Sequence, residues 1–308
     1  RQQYAVYIWP CADSTGEADR LQLNLGGAVN VLDAHDALAT MAARPNAAPI
    51  ALPYHGWIHR SLYEQAATSG PVFQGKDPDT YAGILLAAHT DRFVSQDRPL
   101  SLVGISGTSN TYRFVVTGQP GDSTRDSDRL HAAEGIVRHA RVADVPTVTA
   151  ALIDGLLRVR DRLGTDVIAW QPTPLEIALH CAASVWRKDA EGARQIACIR
   201  GLLQENADIA AFDAAVKAAP ASGRPPRMTC VDRGRDGSYL VIDTRIAGVR
   251  NVAGAATAAA AALEATCQID GHDGSRLPGM PASGLLKQIT RTMKQTVRSW
   301  WRYPRRSA

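Results

Sequence analysis

The stretch from residue 70 to residue 89, GPVFQGKDPDTYAGILLAAH, constrains the fold most strongly because it marks the start of a helix. Asp77 precedes a proline, and Pro78 suits the first helical position, where its missing N–H costs no hydrogen bond. A nearly unbroken apolar run follows. The sequence therefore predicts a helix from Pro78 to about Phe93, with Asp77 as its N-cap.

The remaining sequence alternates strand-like and helical segments, which predicts an α/β fold, mainly helical in its C-terminal part. The predicted strands are 1–9, 20–25, 48–60 and 99–106. The predicted helices are 29–44 (starting near Asn30 or Asp33), 62–68 (capped by Ser61), 145–164, 174–189, 191–206 and the alanine-rich 252–263, interpreted as buried. A β-hairpin is expected over 228–243, with Asp236 and Gly237 in its turn.

Turn-rich and proline-rich stretches suggest where the chain divides. Polar turn residues indicate an exposed loop, and a run of proline, glycine and alanine indicates a linker. The resulting division is a first region at 1–116, a loop at 117–130, a helical accessory region at 131–218, a linker at 219–227, a hairpin plus helix at 228–270 and a basic amphipathic helix at 271–308.

The C-terminal tail carries a concentrated positive charge. It holds eight basic residues and no acidic residue after Asp273, so the preceding part carries −4 of a total net charge of +4. Apolar residues recur at helical spacing over 284–306 beside a Trp-Trp pair. Two interpretations stay open: an interfacial helix on anionic lipid, or a surface helix packed on the body. Nucleic acid is not expected as a partner, because the body is acidic and no second basic patch is present.

Several common site types are missing from the sequence. The five cysteines are scattered without a Cys-x-x-Cys pair, so no zinc site is expected and buried thiols in a reducing cytosol are favoured. No P-loop, dinucleotide fingerprint or Gly-x-Ser-x-Gly occurs. No signal peptide or apolar run of membrane-spanning length is seen, which predicts a cytoplasmic protein.

The carboxylate pair Asp77 and Asp79 has three interpretations. Both residues could simply start a helix, since acidic side chains are favoured at a helix N-terminus. A metal site is disfavoured, because the preceding residues are not a buried strand and Lys76 would repel a cation. A general base is the third interpretation, since a helix N-terminus stabilises the ionised carboxylate that accepts a proton.

Three segments in order resemble a family 2 glycosyltransferase with the GT-A fold. They are LPYHGWIHRSLYEQ, FQGKDPDTY and LSLVGIS, which are similar to the family's aromatic segment, its acidic catalytic motif and the strand that closes its catalytic sheet. The resemblance covers residues 1 to 112 and departs from the family in having Pro-Asp where Glu-Asp is usual. It implies a partial GT-A-like mixed sheet with helices in the first region.

The resemblance also implies an activity and a site. Asp79 would be the general base of an inverting transfer, with Asp77 beside it in the catalytic motif. The donor would be a nucleotide sugar, and the acceptor a saccharide or a lipid-linked molecule. The basic tail would bring the enzyme to the inner membrane face, where lipid-linked acceptors of a bacterial cell envelope lie. The expected substrate-binding residues are Tyr54, His55, Trp57, His59 and Tyr81.

The family's nucleotide-binding half and its metal-binding Asp-x-Asp strand are not found in this sequence. Because the chain begins at Arg1, we expect it to lack that half and to be inactive alone, with no cofactor of its own and Mg or Mn bound only in a full-length enzyme. The rival hypothesis is a non-enzymatic membrane-surface or protein-interaction module. The enzyme hypothesis predicts a concave site joining Asp79, His55 and Trp57, whereas the rival predicts Asp79 open to solvent.

Overall fold

The structure is a computed structural model of the 308-residue chain. It describes residues 2–8, 20–24, 29–45, 50–53, 56–105, 129–142, 145–223, 239–243, 249 and 251–270. The fold is mixed α/β and mostly helical, as the sequence predicts at that level. The chain forms two compact units, the first from residues 1–2, 29–96 and 108–228 and the second from 3–28, 97–107 and 229–308.

The described residues contain eight helices of eight or more residues and five strands. The helices are α1 Ala34–Ala43, α2 Arg60–Ala67, α3 Pro78–Ala88, α4 Val148–Leu163, α5 Pro174–Ala182, α6 Ala190–Arg200, α7 Asn206–Ala218 and α8 Val252–Asp270. The strands are β1 Gln2–Ile8, β2 Arg20–Asn24, β3 Val29–Asp33, β4 Arg92–Ile105 and β5 Tyr239–Asp243. A short 3-10 turn spans Ala140–Val142.

The first unit begins with a β-ribbon that leads directly into a helix. β3 pairs antiparallel with the start of β4, and Val31 lies opposite Val94. The predicted helix over 29–44 is therefore wrong in its first five residues, where alternating valine and leucine form a strand instead. Asp33 does cap α1, as one of the two predicted starts, because its Oδ1 accepts from the Asp36 N–H at 2.9 Å.

The centre of the first unit is the contact between α3 and α4. Every residue of α3 from Thr80 to Ala87 is buried, and Leu156 and Val159 of α4 join the same hydrophobic cluster. The helices approach closely at Gly155, where a Cβ atom would lie 2.7 Å from Cδ1 of Ile84. α3 is thus a core helix whose polar start is its accessible end.

A second hydrophobic cluster lies between α4 and the helices that follow it. Ile153 and Leu157 of α4 pack with side chains of α5, α6 and α7, including Phe212. Trp170 packs against both clusters. Because α4 packs on α3 with one apolar side and on the later helices with the other, all of them belong to the same unit. The predicted division between 1–116 and a separate accessory region at 131–218 therefore does not match the packing.

The second unit contains a β-sheet and a long helix. Its strands run in the order β4, β1, β2, β5, and β2 pairs antiparallel with both β1 and β5. The strand expected before β5 in the predicted hairpin lies outside the described residues. Leu21 and Leu23 of β2 are fully buried. The prediction of a buried alanine-rich helix is confirmed, since α8 buries five alanines: Ala255, Ala258, Ala259, Ala261 and Ala262.

Several predicted boundaries shift. α3 ends at Ala88 instead of near Phe93, which lies in β4. The predicted strand at 48–60 is absent from its described residues, and α2 starts after His59, whose Nδ1 accepts from the Ser61 N–H at 3.3 Å. The loop at 117–128 and the basic helix at 271–308 lie outside the described residues. None of the helices that the structure describes is long and apolar enough to cross a membrane.

Candidate functional site

The polar start of α3 brings both predicted catalytic carboxylates to the surface of the first unit. Asp77 occupies the N-cap position and Pro78 follows it, as predicted. The side chain of Asp77 makes no cap hydrogen bond, however. Asp77 and Asp79 are both half-buried and Pro78 between them is exposed, whereas Thr80 to Ala87 are buried. The two carboxylates therefore stand at a partly exposed end of α3, which a ligand can approach.

The Asp77 carboxylate points to a guanidinium instead of to the helix cap. Its Oδ2 lies 3.5 Å from Nη2 of Arg138, which is ion-pair range but too long for a good hydrogen bond. Burial raises the pKa of Asp77, and the neighbouring carboxylates of Asp79 and Asp154 act in the same direction, while Arg138 and His131 oppose them. Oδ2 of Asp77, Nε of Arg138 and Nδ1 of His131 are buried without a hydrogen-bond partner.

A second, fully engaged carboxylate lies beneath this pair. Asp154 on α4 is 2% exposed, and both of its oxygens accept from Nε of Arg158, at 3.0 and 2.9 Å. The backbone N–H of His139 also donates to Asp154. Gly75 lies directly over the pair with φ +80°, and a Cβ there would sit 3.3 Å from both partner groups. This ion pair supports the loop that precedes Asp77. Both oxygens of Asp154 are already engaged, so neither is available to a substrate.

The same loop is held at its other end by Arg162 of α4. Its guanidinium donates to the Ser69 hydroxyl at 3.0 Å and to the carbonyls of Pro71 and Ala66 at 2.6 and 3.1 Å. It also donates to the hydroxyl of Tyr81 at 2.6 Å. These bonds fasten the segment before Asp77 to α4, so the site rests on a rigid base.

Asp79 differs from the carboxylates around it. Among the described residues it has no hydrogen-bond or ion-pair partner, although it stands in the first turn of α3. The positive end of the helix dipole favours a negative charge at this position. A half-exposed carboxylate without a competing partner can accept a proton from a bound hydroxyl.

The predicted substrate-binding residues have different surroundings. Trp57 is 90% exposed, and His59 is an exposed N-cap whose Nδ1 is 2.7 Å from the Ser61 hydroxyl. Tyr81 is 1% exposed with its hydroxyl bound to Arg162, so it forms part of the core instead of facing a substrate. Tyr54 and His55 lie outside the described residues. The predicted meeting of Asp79, His55 and Trp57 therefore stays a prediction.

Sequence reasoning missed three charged residues that shape the site: Arg138, Asp154 and Arg162. Asp154 carried a usable signal, because an acidic residue inside an apolar helical run with an arginine four residues later indicates a buried pair. Arg138 carried none, since it lies far along the chain from Asp77.

Neither the chemistry of the described residues nor similarity to known proteins identifies a cofactor. In the described part of the chain, no group of three or more His, Cys, Asp or Glu side chains is arranged to hold a metal ion. The Asp77 carboxylate faces the guanidinium of Arg138 and the Asp154 carboxylate faces that of Arg158, which does not fit a divalent cation. Comparison with family models, with curated proteins and with solved structures gave no match to this chain.

Proposed function

We propose that the chain carries the acceptor side of an inverting glycosyltransferase, with Asp79 as the general base. The observation that supports this most is the contrast between carboxylates at one helix start. Asp154 and Asp77 face arginines, whereas Asp79 stands free of partners among the described residues. The sequence resemblance places the catalytic base of the family at this same residue.

In the proposed reaction, Asp79 takes the proton of an acceptor hydroxyl as the oxygen attacks the anomeric carbon of a nucleotide sugar. A new glycosidic bond forms on the opposite side as the bond to the diphosphate breaks, and the diphosphate leaves with the bonding electrons. The configuration at the anomeric carbon is thereby inverted.

The acceptor in this proposal is a saccharide or a lipid-linked saccharide. Trp57 presents an open aromatic face, which suits stacking on the apolar side of a sugar ring. Membrane association through 284–306, cytoplasmic location at the inner membrane and a role in cell-envelope polysaccharide belong to the same proposal. They rest on the sequence, since that segment lies outside the described residues.

Asp79→Asn tests the proposal, in the protein expressed from its complete reading frame. Transfer from a panel of nucleotide sugars to saccharide acceptors is followed by mass spectrometry. We expect loss of turnover by at least about a hundredfold, the usual contribution of a general base, with an unchanged melting temperature. Asp208→Asn is the matched control, because Asp208 is a half-buried carboxylate in the first turn of α7. Undiminished turnover in Asp79→Asn contradicts the assignment.

A second candidate is a non-enzymatic interaction module, and the exposed aromatics of the first unit favour it. Trp57, Phe73 and Tyr63 are 90%, 50% and 42% exposed. Large apolar side chains at a surface suit protein partners as well as sugars. Under this hypothesis no nucleotide sugar is consumed by the wild type, and substituting Trp57 abolishes partner binding while Asp79→Asn leaves it intact.

A further inference from the structure

We propose that Arg138 is a positioning residue of the site, drawing the Asp77 carboxylate off the α3 cap and holding it beside Asp79. The inference rests on the proposed function for what the site does. The contact between Arg138 and Asp77 does not depend on that function. Arg138 lies beyond the segment that resembles the glycosyltransferase family. The inference therefore assigns a role in the site to a residue from the helical region at 131–218.

The first step in the argument is the cap bond that Asp77 does not make. An aspartate before a proline at a helix start normally accepts from the N–H groups of the first turn, which stabilises the helix. The Asp77 side chain makes no such bond, and its Oδ2 faces Arg138. The guanidinium thus outweighs the helix cap in setting the direction of this carboxylate.

The second step is that Arg138 is itself held in place. Its Nη1 donates to the carbonyl of Val145 at 2.7 Å, just before α4 begins. The side chain is 17% exposed, so it is confined by packing as well as by this bond. One nitrogen of the Arg138 guanidinium is therefore anchored, and another faces the Asp77 carboxylate. A guanidinium held in this way can fix the position of the carboxylate.

The third step concerns the polar atoms left over. Oδ2 of Asp77 and Nε of Arg138 are both buried without a hydrogen-bond partner, and so is Nδ1 of His131. Buried polar groups are paired in nearly all folded proteins, and unpaired ones mark functional sites or places that tighten on binding. Among the described residues, three such atoms gather around Asp77. The ion pair is therefore poised to shorten when a ligand engages the α3 start.

The experiment measures the titration of Asp77 directly, by carbon-13 carboxyl NMR on the full chain, with Asp77→Asn assigning the resonance. The charged groups facing Asp77 are Arg138, Asp79, Asp154 and His131. We expect Arg138→Gln to raise the titration midpoint of Asp77, because the positive charge that opposes burial is lost. A rise of about one pH unit corresponds to a tenfold change in proton affinity. Arg138→Lys restores most of the difference.

The controls separate positioning from folding. Arg200→Gln breaks an exposed pair with Asp213 and should leave the Asp77 midpoint unchanged. Arg138→Met is made in parallel and keeps the packing of the side-chain stem if glutamine is not tolerated. An unchanged Asp77 midpoint in a folded Arg138→Gln or Arg138→Met variant overturns the inference, as does failure of all three Arg138 variants to fold, which assigns Arg138 to the core.

The titration needs no substrate, so its result is independent of the glycosyltransferase proposal. If the wild-type enzyme proves active, Arg138→Gln is expected to lower kcat more than it raises KM, because a misplaced carboxylate affects the reacting geometry. If the enzyme proves inactive while the midpoint shifts, Arg138 keeps its role toward Asp77 and only the proposed function fails.

Discussion

The hydroxyl oxygen of Tyr81 accepts a hydrogen bond of 2.6 Å from Nη1 of Arg162, joining the first turn of α3 to the end of α4. The same guanidinium binds the carbonyls of Ala66 and Pro71, so one side chain links three segments. Because Tyr81 is buried, its hydroxyl has no water to replace this partner. The bond is therefore a structural fastening beneath the candidate site.

Tyr81→Phe removes only that hydroxyl. We expect the free energy of unfolding to fall by about 1.5 to 3 kcal/mol, the usual worth of a hydrogen bond to a charged group. Urea unfolding followed by circular dichroism measures the change. Tyr63→Phe is the control, because Tyr63 is 42% exposed on α2 and should change stability little. Equal stability of wild type and Tyr81→Phe would show that Arg162 holds the segment without the tyrosine.

At Gly83, α3 passes close to the backbone of the preceding segment. A Cβ there would lie 2.9 Å from the carbonyl oxygen of Ala51. Gly83→Ala should destabilise the fold by about 1 to 3 kcal/mol, because overpacking exceeds the gain of about 1 kcal/mol in helix propensity. Gly254→Ala on α8 meets nothing closer than 3.4 Å and should be neutral or mildly stabilising. Thermal melts of the two variants compare them, and a stabilised Gly83→Ala contradicts the packing.

Trp57 has almost no contact to lose, since it is 90% exposed. Trp57→Ala should change the free energy of unfolding by no more than about 0.5 kcal/mol. If the acceptor sugar stacks on this ring, KM for the acceptor rises about tenfold, a change of about 1.4 kcal/mol, with kcat little altered. Trp57→Phe retains an aromatic face and should recover most of the affinity. An acceptor KM equal to that of the wild type excludes Trp57 from the site.

The cysteines Cys181 and Cys198 should differ in reactivity. Burial raises the pKa of the Cys181 thiol to about 11, so it is protonated at neutral pH as well as shielded in the second cluster. Cys198 is half-buried on α6. Iodoacetamide at pH 8 (about the ordinary thiol range) should modify Cys198 well before Cys181, as peptide mass spectrometry shows. Rapid labelling of Cys181 in folded protein would contradict its burial.

Asp77 gives the first unit a distinctive pH dependence. Its pKa in the folded chain is raised above 3.8, chiefly by burial, so the folded state binds this proton more tightly than the unfolded chain does. The stability that Asp77 contributes through this proton is therefore present at low pH. It is lost as the pH rises from 3.8 through the raised pKa of the folded state. We expect the stability of the wild type relative to Asp77→Asn to decline across that window in urea titrations. A relative stability that increases there would mean that Arg138 dominates over burial.

Local chemistry made the ends of the helices predictable. Pro78 at the first position of α3 and Gly164 after α4, with φ +96°, were both expected, because each residue type suits its backbone conformation. The buried alanine face of α8 followed from composition alone. Asp33 was one of the two predicted starts of α1. The residues just before it alternate with the two-residue period of a strand, but they were assigned to the helix.

The missed features depend on partners distant in sequence. Nothing near Asp77 indicates that Arg138 turns its carboxylate away from the cap. Tyr81 looked accessible because it is one turn from Asp77, yet α4 covers it and supplies Arg162. The apolar residues at 50–53 suggested a strand, but a strand needs a neighbour with free backbone groups, and the described residues provide none there.

The placement of α4 in two clusters has a consequence during protein synthesis. α3 leaves the ribosome well before α4. α1 can already pack against one side of it, but the side that packs on α4 has no cover until Leu156 and Val159 arrive. The nascent first unit must therefore wait for α4 before its central helix is enclosed, which makes this interval the time when a chaperone would bind it. Slowing translation between the codons of α3 and α4 should lengthen that exposure, and slowing it after α7 should not.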